Sequence, residues 1–289
     1  MIEWYYLVAI SSAIMGVSTI VEKYALKTQH ATSFSASFSI LIAGISLIFL
    51  LFAKFNISVY NIGIIYALSL VSSSTYLLTA RIYKHSNISV STPLFSSLPQ
   101  MFVVIMAFIF LKERLSILQY ISLAALIALA YLLMFSGKKL KSKTFESKKY
   151  VYLLLMTTFL VAVGGIIMKY LLNIGVNVFE MFILLQIFIA LNMSAYITLK
   201  YGGIREEISN IKNNWPALLS VALLTAGYRI TYYISLNLAY ISLASPLRNS
   251  ISVMITVLIG GLLFKEGNIY RKLLIAIAMV FIVYVLVAN

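Results

Sequence analysis

Two arginines near the end of the chain fall inside apolar segments that are long enough to cross a membrane. Arg229 and Arg248 flank a predicted helix turn, and Tyr228, Tyr232 and Tyr233 accompany the first of them. A rise of 1.5 Å per residue places Arg229 roughly 17 Å and Arg248 roughly 10 Å from that turn. A guanidinium keeps its charge and offers a planar set of N–H donors that suits carboxylate or phosphate groups. The pattern therefore predicts a cationic, tyrosine-rich pocket for an anionic or zwitterionic solute.

Polar side chains at helical spacing in other apolar segments extend this prediction. Tyr76 lies in the third segment, Ser96 and Gln100 in the fourth, and Asn249 beside Arg248 in the ninth. Such groups are costly in hydrocarbon, so we expect them to face a cavity or another helix. Helix packing is the alternative role for the single hydroxyls. We predict that these residues bind the substrate together with the arginines and tyrosines.

Two glutamates are candidate partners of the arginines. Glu22 lies near the end of the first segment, and Glu180 lies near the start of the seventh. One alternative is an internal ion pair, which would make at least one arginine structural. The other is a carboxylate that couples transport to protons. Lys112 and Glu113, at the end of the fourth segment, are expected to be interfacial anchors.

The composition indicates an integral membrane protein. Of 289 residues, 62% are hydrophobic and 10% charged, and the mean hydropathy is +0.99, whereas a soluble domain has about 25% charged residues. The chain has no cysteine or aspartate, and its two histidines, His30 and His85, are expected in short loops. No Walker A sequence or zinc-ligand spacing occurs. We therefore expect no catalytic residue, no metal and no cofactor, and we do not expect an enzyme.

The net charge of +14 raises the question of an acidic partner. The lysines lie in short loops between apolar segments, where basic residues usually mark the cytoplasmic face and contact anionic lipid. We therefore expect these loops to contact the lipid bilayer, and we do not expect nucleic acid as a partner.

The apolar segments organise the chain into two halves. Ten segments are predicted, at 4–22, 34–53, 60–83, 88–111, 116–135, 150–171, 178–199, 216–239, 242–264 and 270–288. We divide the chain into a first five-helix repeat at 1–136, a lysine-rich linker at 137–149 and a second five-helix repeat at 150–289. The fifth and tenth segments are almost wholly apolar after their first turn, so they are expected to face lipid or act as scaffold.

The two halves share sequence. Residues 88–113 align with residues 241–266 without a gap, including Pro93 with Pro246 and Glu113 with Glu266. Because each half has an odd number of segments, the two copies must enter the membrane from opposite sides. The predicted fold is all-α, with ten transmembrane helices as two inverted five-helix repeats around a central cavity. Secondary transporters often have this architecture.

Several motifs resemble a known family. The stretch GVSTIVEKYAL (16–26) and the turns RIYKHSNISVSTPL (81–94) and SLNLAYISLASPL (235–247) resemble EamA-type ten-helix members of the drug/metabolite transporter superfamily. So do the glutamate-terminated fourth and ninth segments, each followed by an apolar one. The second segment departs from the family pattern because it lacks the arginine common there.

The resemblance implies alternating access and the movement of small metabolites. It also implies that the termini lie in the cytoplasm. Lysine and arginine are concentrated in the 1–2, 3–4, 5–6, 7–8 and 9–10 connections, and the positive-inside rule then places the termini outside. Sidedness is left open between these two.

Our functional prediction is a secondary active transporter of the cell membrane, an exporter or exchanger of a small organic metabolite, working as a monomer or homodimer. One alternative is a proton-coupled exporter of hydrophobic cations or amines. A further alternative is a membrane scaffold or enzyme without transport.

Overall fold

The apolar segments fold into helices throughout the part of the chain that the structure describes. This computed structural model describes residues 3–85, 88–135, 148–201, 205–263 and 269–288, which contain ten α-helices and no strand. The helices are α1 Trp4–Thr28, α2 Ala31–Ser46, α3 Val59–His85, α4 Ile88–Phe110, α5 Ile117–Phe135, α6 Lys148–Asn173, α7 Val178–Tyr201, α8 Arg205–Leu238, α9 Ile241–Leu263 and α10 Ile269–Ala288. The predicted all-α fold with ten helices is confirmed.

Membrane-spanning character is clear in six of these helices. Over their described residues α1, α2, α3, α6, α7 and α8 are long and apolar enough to cross a bilayer, α2 being counted with the 3₁₀ turn that continues it. Shorter apolar stretches lie in α4, α5 and α10. In a bilayer the backbone groups must be satisfied within the segment, and this favours helices.

Two helices, α2 and α8, differ from the predicted segments. The 3₁₀ turn Leu47–Phe52 continues α2. The α8 helix begins at Arg205, ahead of the segment predicted from residue 216, and it has a non-helical residue at Asn214, with φ −124° and ψ 18°. Pro216 follows two residues later, and a proline ring disrupts the helical turn before it.

The two sets of five helices make equivalent contacts. Each of α1 to α5 corresponds to the helix five places later, so that α1 corresponds to α6 and α5 to α10. Helix α1 packs against α8 and α9, and α6 packs correspondingly against α3 and α4. Likewise α2 packs on α8, and α7 on α3. The counterpart pairs α2–α7, α4–α9 and α5–α10 are in direct contact. This pattern of contacts is what inverted five-helix repeats produce. The predicted linker at 137–149 lies almost wholly outside the described residues, and the domain boundaries remain a prediction.

The middle of the molecule is formed by α1–α4 and α6–α9. Helices α5 and α10 pack mainly on each other, on α4 and on α9, and they expose apolar side chains such as Ile121 and Phe281. The α1–α9 crossing is especially close at Gly16, where an added Cβ would lie 2.8 Å from Ile255 Cγ2. Thr256 Oγ1 donates to the Gly16 carbonyl at 3.3 Å.

Glu113 fixes the start of α9. Its side chain is 4% exposed, and its carboxylate accepts from the backbone N–H groups of Ile241 at 3.1 Å and Ser242 at 3.0 Å. The first N–H groups of a helix have no partner within the helix, and an anion there is favoured by the helix dipole. Glu113 is therefore a cap of α9, a role that was not predicted from sequence because its partners lie on a helix distant in sequence. Its role as an interfacial anchor stays a prediction.

Lys169 holds the end of α8 in a corresponding way. Its Nζ donates to the carbonyl oxygens of Leu236 at 2.5 Å and Ala239 at 3.0 Å. The last carbonyls of a helix also have no partner within the helix, and a cation is favoured beside them. Glu113 and Lys169 together fix the α8–α9 hairpin, which carries both arginines of the predicted pocket.

Candidate functional site

Two adjoining cavities lie between the two halves of the molecule. We name them the Gln100 cavity, of about 180 Å³, and the Glu22 cavity, of about 200 Å³. The residues that line both are Met15, Thr75, Tyr76, Val161, Tyr228, Arg229, Arg248 and Asn249. Small-molecule sites usually enclose about 300–1,000 Å³, so the two cavities together suit a small solute. Helices of both repeats contribute, as expected for a site between repeats.

Arg229 lies between aromatic rings in the shared wall. Its guanidinium carbon is 4.9 Å from the centre of the Tyr76 ring and 6.0 Å from that of Tyr228. A cation over an aromatic face within about 6 Å is attracted by the ring quadrupole. The Tyr76 hydroxyl in turn donates to Gln186 Oε1 at 3.5 Å. The rings thus hold Arg229 in place while it lines both cavities.

Arg248 stacks on Tyr232 more closely. The distance from its guanidinium carbon to the ring centre is 3.7 Å. One terminal nitrogen donates to Asn249 Oδ1 at 3.4 Å, and the Nε has no hydrogen-bond partner among the described residues. Tyr232 is 4% exposed, so the ring is a fixed platform. Stacking on the ring occupies a face of the guanidinium and leaves its in-plane Nε–H without a partner among the described residues.

Gln100 and Tyr233 complete the wall of the Gln100 cavity. Gln100 is 2% exposed, and its Oε1 has no hydrogen-bond partner within the described parts of the chain. Ile241, whose N–H is held by Glu113, lines the same cavity. Ser96 belongs to α4, but its side chain lies outside the described residues. The cap on α9 therefore also positions one wall of the cavity.

The two glutamates have different surroundings. Glu22 lines the Glu22 cavity together with Arg229. Glu180 is not among the described residues that line either cavity. Its Oε1 accepts from the backbone N–H of Lys54 at 2.8 Å, and this contact fixes the segment after α2 to the start of α7. Of the two predicted acids, Glu22 is the one placed beside an arginine.

An aromatic wall from α2 was not anticipated. Phe34 and Phe38 line the Glu22 cavity, their rings stack at 5.9 Å between centres, and Phe38 lies 5.6 Å from Tyr76. Phenylalanines in an apolar helix carry no polar signal. Their spacing of four residues, which puts both on one helix face, was the only clue.

The chain also matches known proteins. Residues 2–136 match the model of the EamA-like transporter family. Over these residues, somewhat less than half of its length, the chain is similar to the EamA-like transporter family. This similarity and the apolar helices indicate a multi-pass membrane protein, and the matched family suggests a membrane transporter of small solutes.

Solved structures support the fold over almost the whole chain. One of them, titled "Crystal structure of protein", has a TM-score of 0.68 and 12% sequence identity, with 96% of this chain and 95% of that chain covered. At this identity the likeness shows the fold alone. The comparison with curated proteins finds no match.

Proposed function

We propose that this protein is a secondary active transporter, an exporter or exchanger in the cell membrane, that moves a small anionic or zwitterionic metabolite by alternating access. The observation that carries the proposal is that Arg229 and Arg248 line both cavities. Glu22 is the one acid among the described lining residues. The pair of cavities therefore has an excess of positive charge, which an anionic solute would neutralise.

The tyrosines support the same conclusion. Tyr232 fixes the plane of Arg248, and Tyr76 and Tyr228 flank Arg229. A held guanidinium loses less side-chain freedom on binding, and its planar donors match the two oxygens of a carboxylate or phosphate group. A zwitterion would place its anionic end on the arginines and its cationic end toward Glu22.

A second candidate function is proton-coupled export of hydrophobic cations or amines. The observation that favours it is that Glu22 shares its cavity with Phe34 and Phe38. A carboxylate beside aromatic rings suits a cation with an apolar body. In that mechanism the Glu22 carboxylate would bind the cation in one state and a proton in the other.

Uptake into liposomes distinguishes the two functions. Purified protein is reconstituted, and uptake is competed with panels of anionic, zwitterionic and cationic solutes. We expect anions or zwitterions to compete, and we expect Arg248→Ala to weaken them about 10- to 100-fold, because a charge-assisted contact is lost. Arg271→Ala, at an exposed residue of α10, is the matched control and should leave competition unchanged. Competition by cations alone, with Arg248→Ala fully active, would contradict the proposal.

A further inference from the structure

Gln100 lines the Gln100 cavity and carries a buried acceptor. The side chain is 2% exposed, it lines the Gln100 cavity, and its Oε1 has no hydrogen-bond partner among the described residues. Leaving a buried polar atom without a partner costs free energy, and such atoms are rare in native proteins. A ligand that donated a hydrogen bond to the Gln100 oxygen would remove this cost.

Arg248 lines the same cavity and carries an unpartnered donor. Its Nε has no hydrogen-bond partner within the described part of the chain, and its guanidinium is fixed against Tyr232. One cavity of about 180 Å³ thus holds an unmet acceptor from α4 and an unmet donor from α9. The two helices come from different repeats, so a single solute that satisfied both would connect the halves.

The two atoms require different groups on the solute. The guanidinium needs an acceptor, and it prefers one with negative charge. The amide oxygen needs an O–H or N–H donor. A simple ionised carboxylic acid offers acceptors alone. Hydroxy acids, amino acids and hydroxylated phosphate esters offer both kinds of group.

Gln186 provides a comparison with Gln100. It is also a buried glutamine, and its Nε2 has no partner among the described residues. However, its Oε1 accepts from the Tyr76 hydroxyl, and it is not among the described residues that line either cavity. An unmet atom by itself therefore does not indicate a ligand. Gln100 differs because it faces the same space as Arg248.

We propose that Gln100 is the specificity-determining residue of the site and selects solutes that carry an O–H or N–H donor together with an anionic group. This inference rests on the proposed function, since it assumes that the anionic group binds at the arginines. The arginines attract the anion, and Gln100 discriminates among anions. Solutes without a donor leave the Gln100 oxygen buried and unsatisfied, so they bind more weakly.

Matched pairs of solutes test the inference. Lactate is compared with propionate, malate with succinate, and glycerol 3-phosphate with propyl phosphate, so that each pair differs in hydroxylation while the anionic group is kept. Binding is followed by thermal stabilisation of the purified protein and by competition of uptake in liposomes. We expect the hydroxylated member of at least one pair to bind about three- to tenfold more tightly, the usual worth of one hydrogen bond.

Variants assign that preference to Gln100. Gln100→Met keeps the length of the side chain and removes the acceptor, so it should abolish the preference while propionate and the other unhydroxylated anions still bind. Gln186→Met is the matched control and should keep the preference. Gln100→Leu is a second variant with the same expected result, in case the methionine variant is poorly folded.

The outcomes separate this inference from the proposed function. If the members of every pair bind equally to the unaltered protein, the role of Gln100 is wrong, but an anion site stands. This comparison needs only the unaltered protein, so it does not depend on the folding of any variant. If the preference survives in Gln100→Met or Gln100→Leu, another residue selects the solute, and the inference is wrong. If none of the anions binds, both the inference and the proposed function are wrong.

Discussion

Glu113 and Lys169 hold the two helix termini that meet at the turn of the α8–α9 hairpin. The carboxylate of Glu113 accepts from the first N–H groups of α9, and the ammonium of Lys169 donates to the last carbonyls of α8. The two charges also attract each other. Glu113 follows α4 in the first repeat, and Lys169 lies on α6 in the second. The hairpin that carries Arg229 and Arg248 is thus fixed by both halves.

Glu113→Gln should destabilise the protein. The variant removes the charge that complements the N-terminus of α9, and we expect a loss of about 1–3 kcal/mol in stability because hydrogen bonds to a buried charged group are weakened. Thermal unfolding of the purified protein measures the loss. Lys112→Gln, at the exposed neighbouring residue, is the control and should have little effect. Equal stability of the two variants would contradict the capping role of Glu113.

Lys169→Met should act through the same hairpin. It leaves the carbonyls of Leu236 and Ala239 without their donor, and the expected loss is again about 1–3 kcal/mol. A double-mutant cycle with Glu113→Gln should give a non-additive result, because each variant removes one of two charges that attract each other. Strict additivity of the two unfolding losses would show that the two caps act independently.

Gly16→Ala should weaken the contact between α1 and α9. The added Cβ would lie 2.8 Å from Ile255 Cγ2 and 3.2 Å from the Ser252 carbonyl oxygen, so the helices must shift, at a typical cost of about 1–3 kcal/mol. Gly44→Ala is the matched control, since nothing lies within 4 Å of its Cβ. That variant should be neutral, or more stable by up to about 1 kcal/mol, because alanine favours the helix. Thermal unfolding that ranks the two variants the other way would contradict the close crossing.

Tyr232→Leu should impair anion binding by releasing Arg248. The ring centre lies 3.7 Å from the guanidinium carbon, and loss of this cation–π contact should weaken binding about three- to tenfold. Tyr232→Phe keeps the ring and should bind almost as the unaltered protein does. Competition of uptake measures both. If Tyr232→Phe were as impaired as Tyr232→Leu, the hydroxyl and not the ring would be responsible.

Sidedness can be measured with a single introduced cysteine, because the chain has none. The loop charges predict that the 137–149 linker is cytoplasmic, so Ser142→Cys should react with an impermeant thiol reagent only after the cells are permeabilised. Labelling of intact cells would instead agree with the cytoplasmic termini that the family resemblance implies. A cysteine placed in the 112–116 connection, expected on the opposite side, is the control.

Much of the architecture could be predicted from sequence because its causes are local. The length of the apolar segments, the cost of charge in hydrocarbon and the odd number of segments in each half gave the helical membrane fold. The same cost indicated Arg229 and Arg248 as residues of interest, and Tyr76, Tyr228, Tyr232, Tyr233, Gln100 and Asn249 line the Gln100 cavity with them. Their roles in binding remain predictions.

The partners of the charged side chains could not be predicted in this way. Glu22 and Glu180 look alike in sequence, yet Glu22 lies in a cavity with Arg229, and Glu180 binds the backbone of Lys54. Glu113 resembles a surface anchor until α9 is seen to begin beside it. By itself the sequence determined which segments enter the membrane and which residues are costly there, since these depend on composition and spacing. The tertiary structure decided which of those residues meet, because that depends on how helices distant in sequence are rotated and packed against each other.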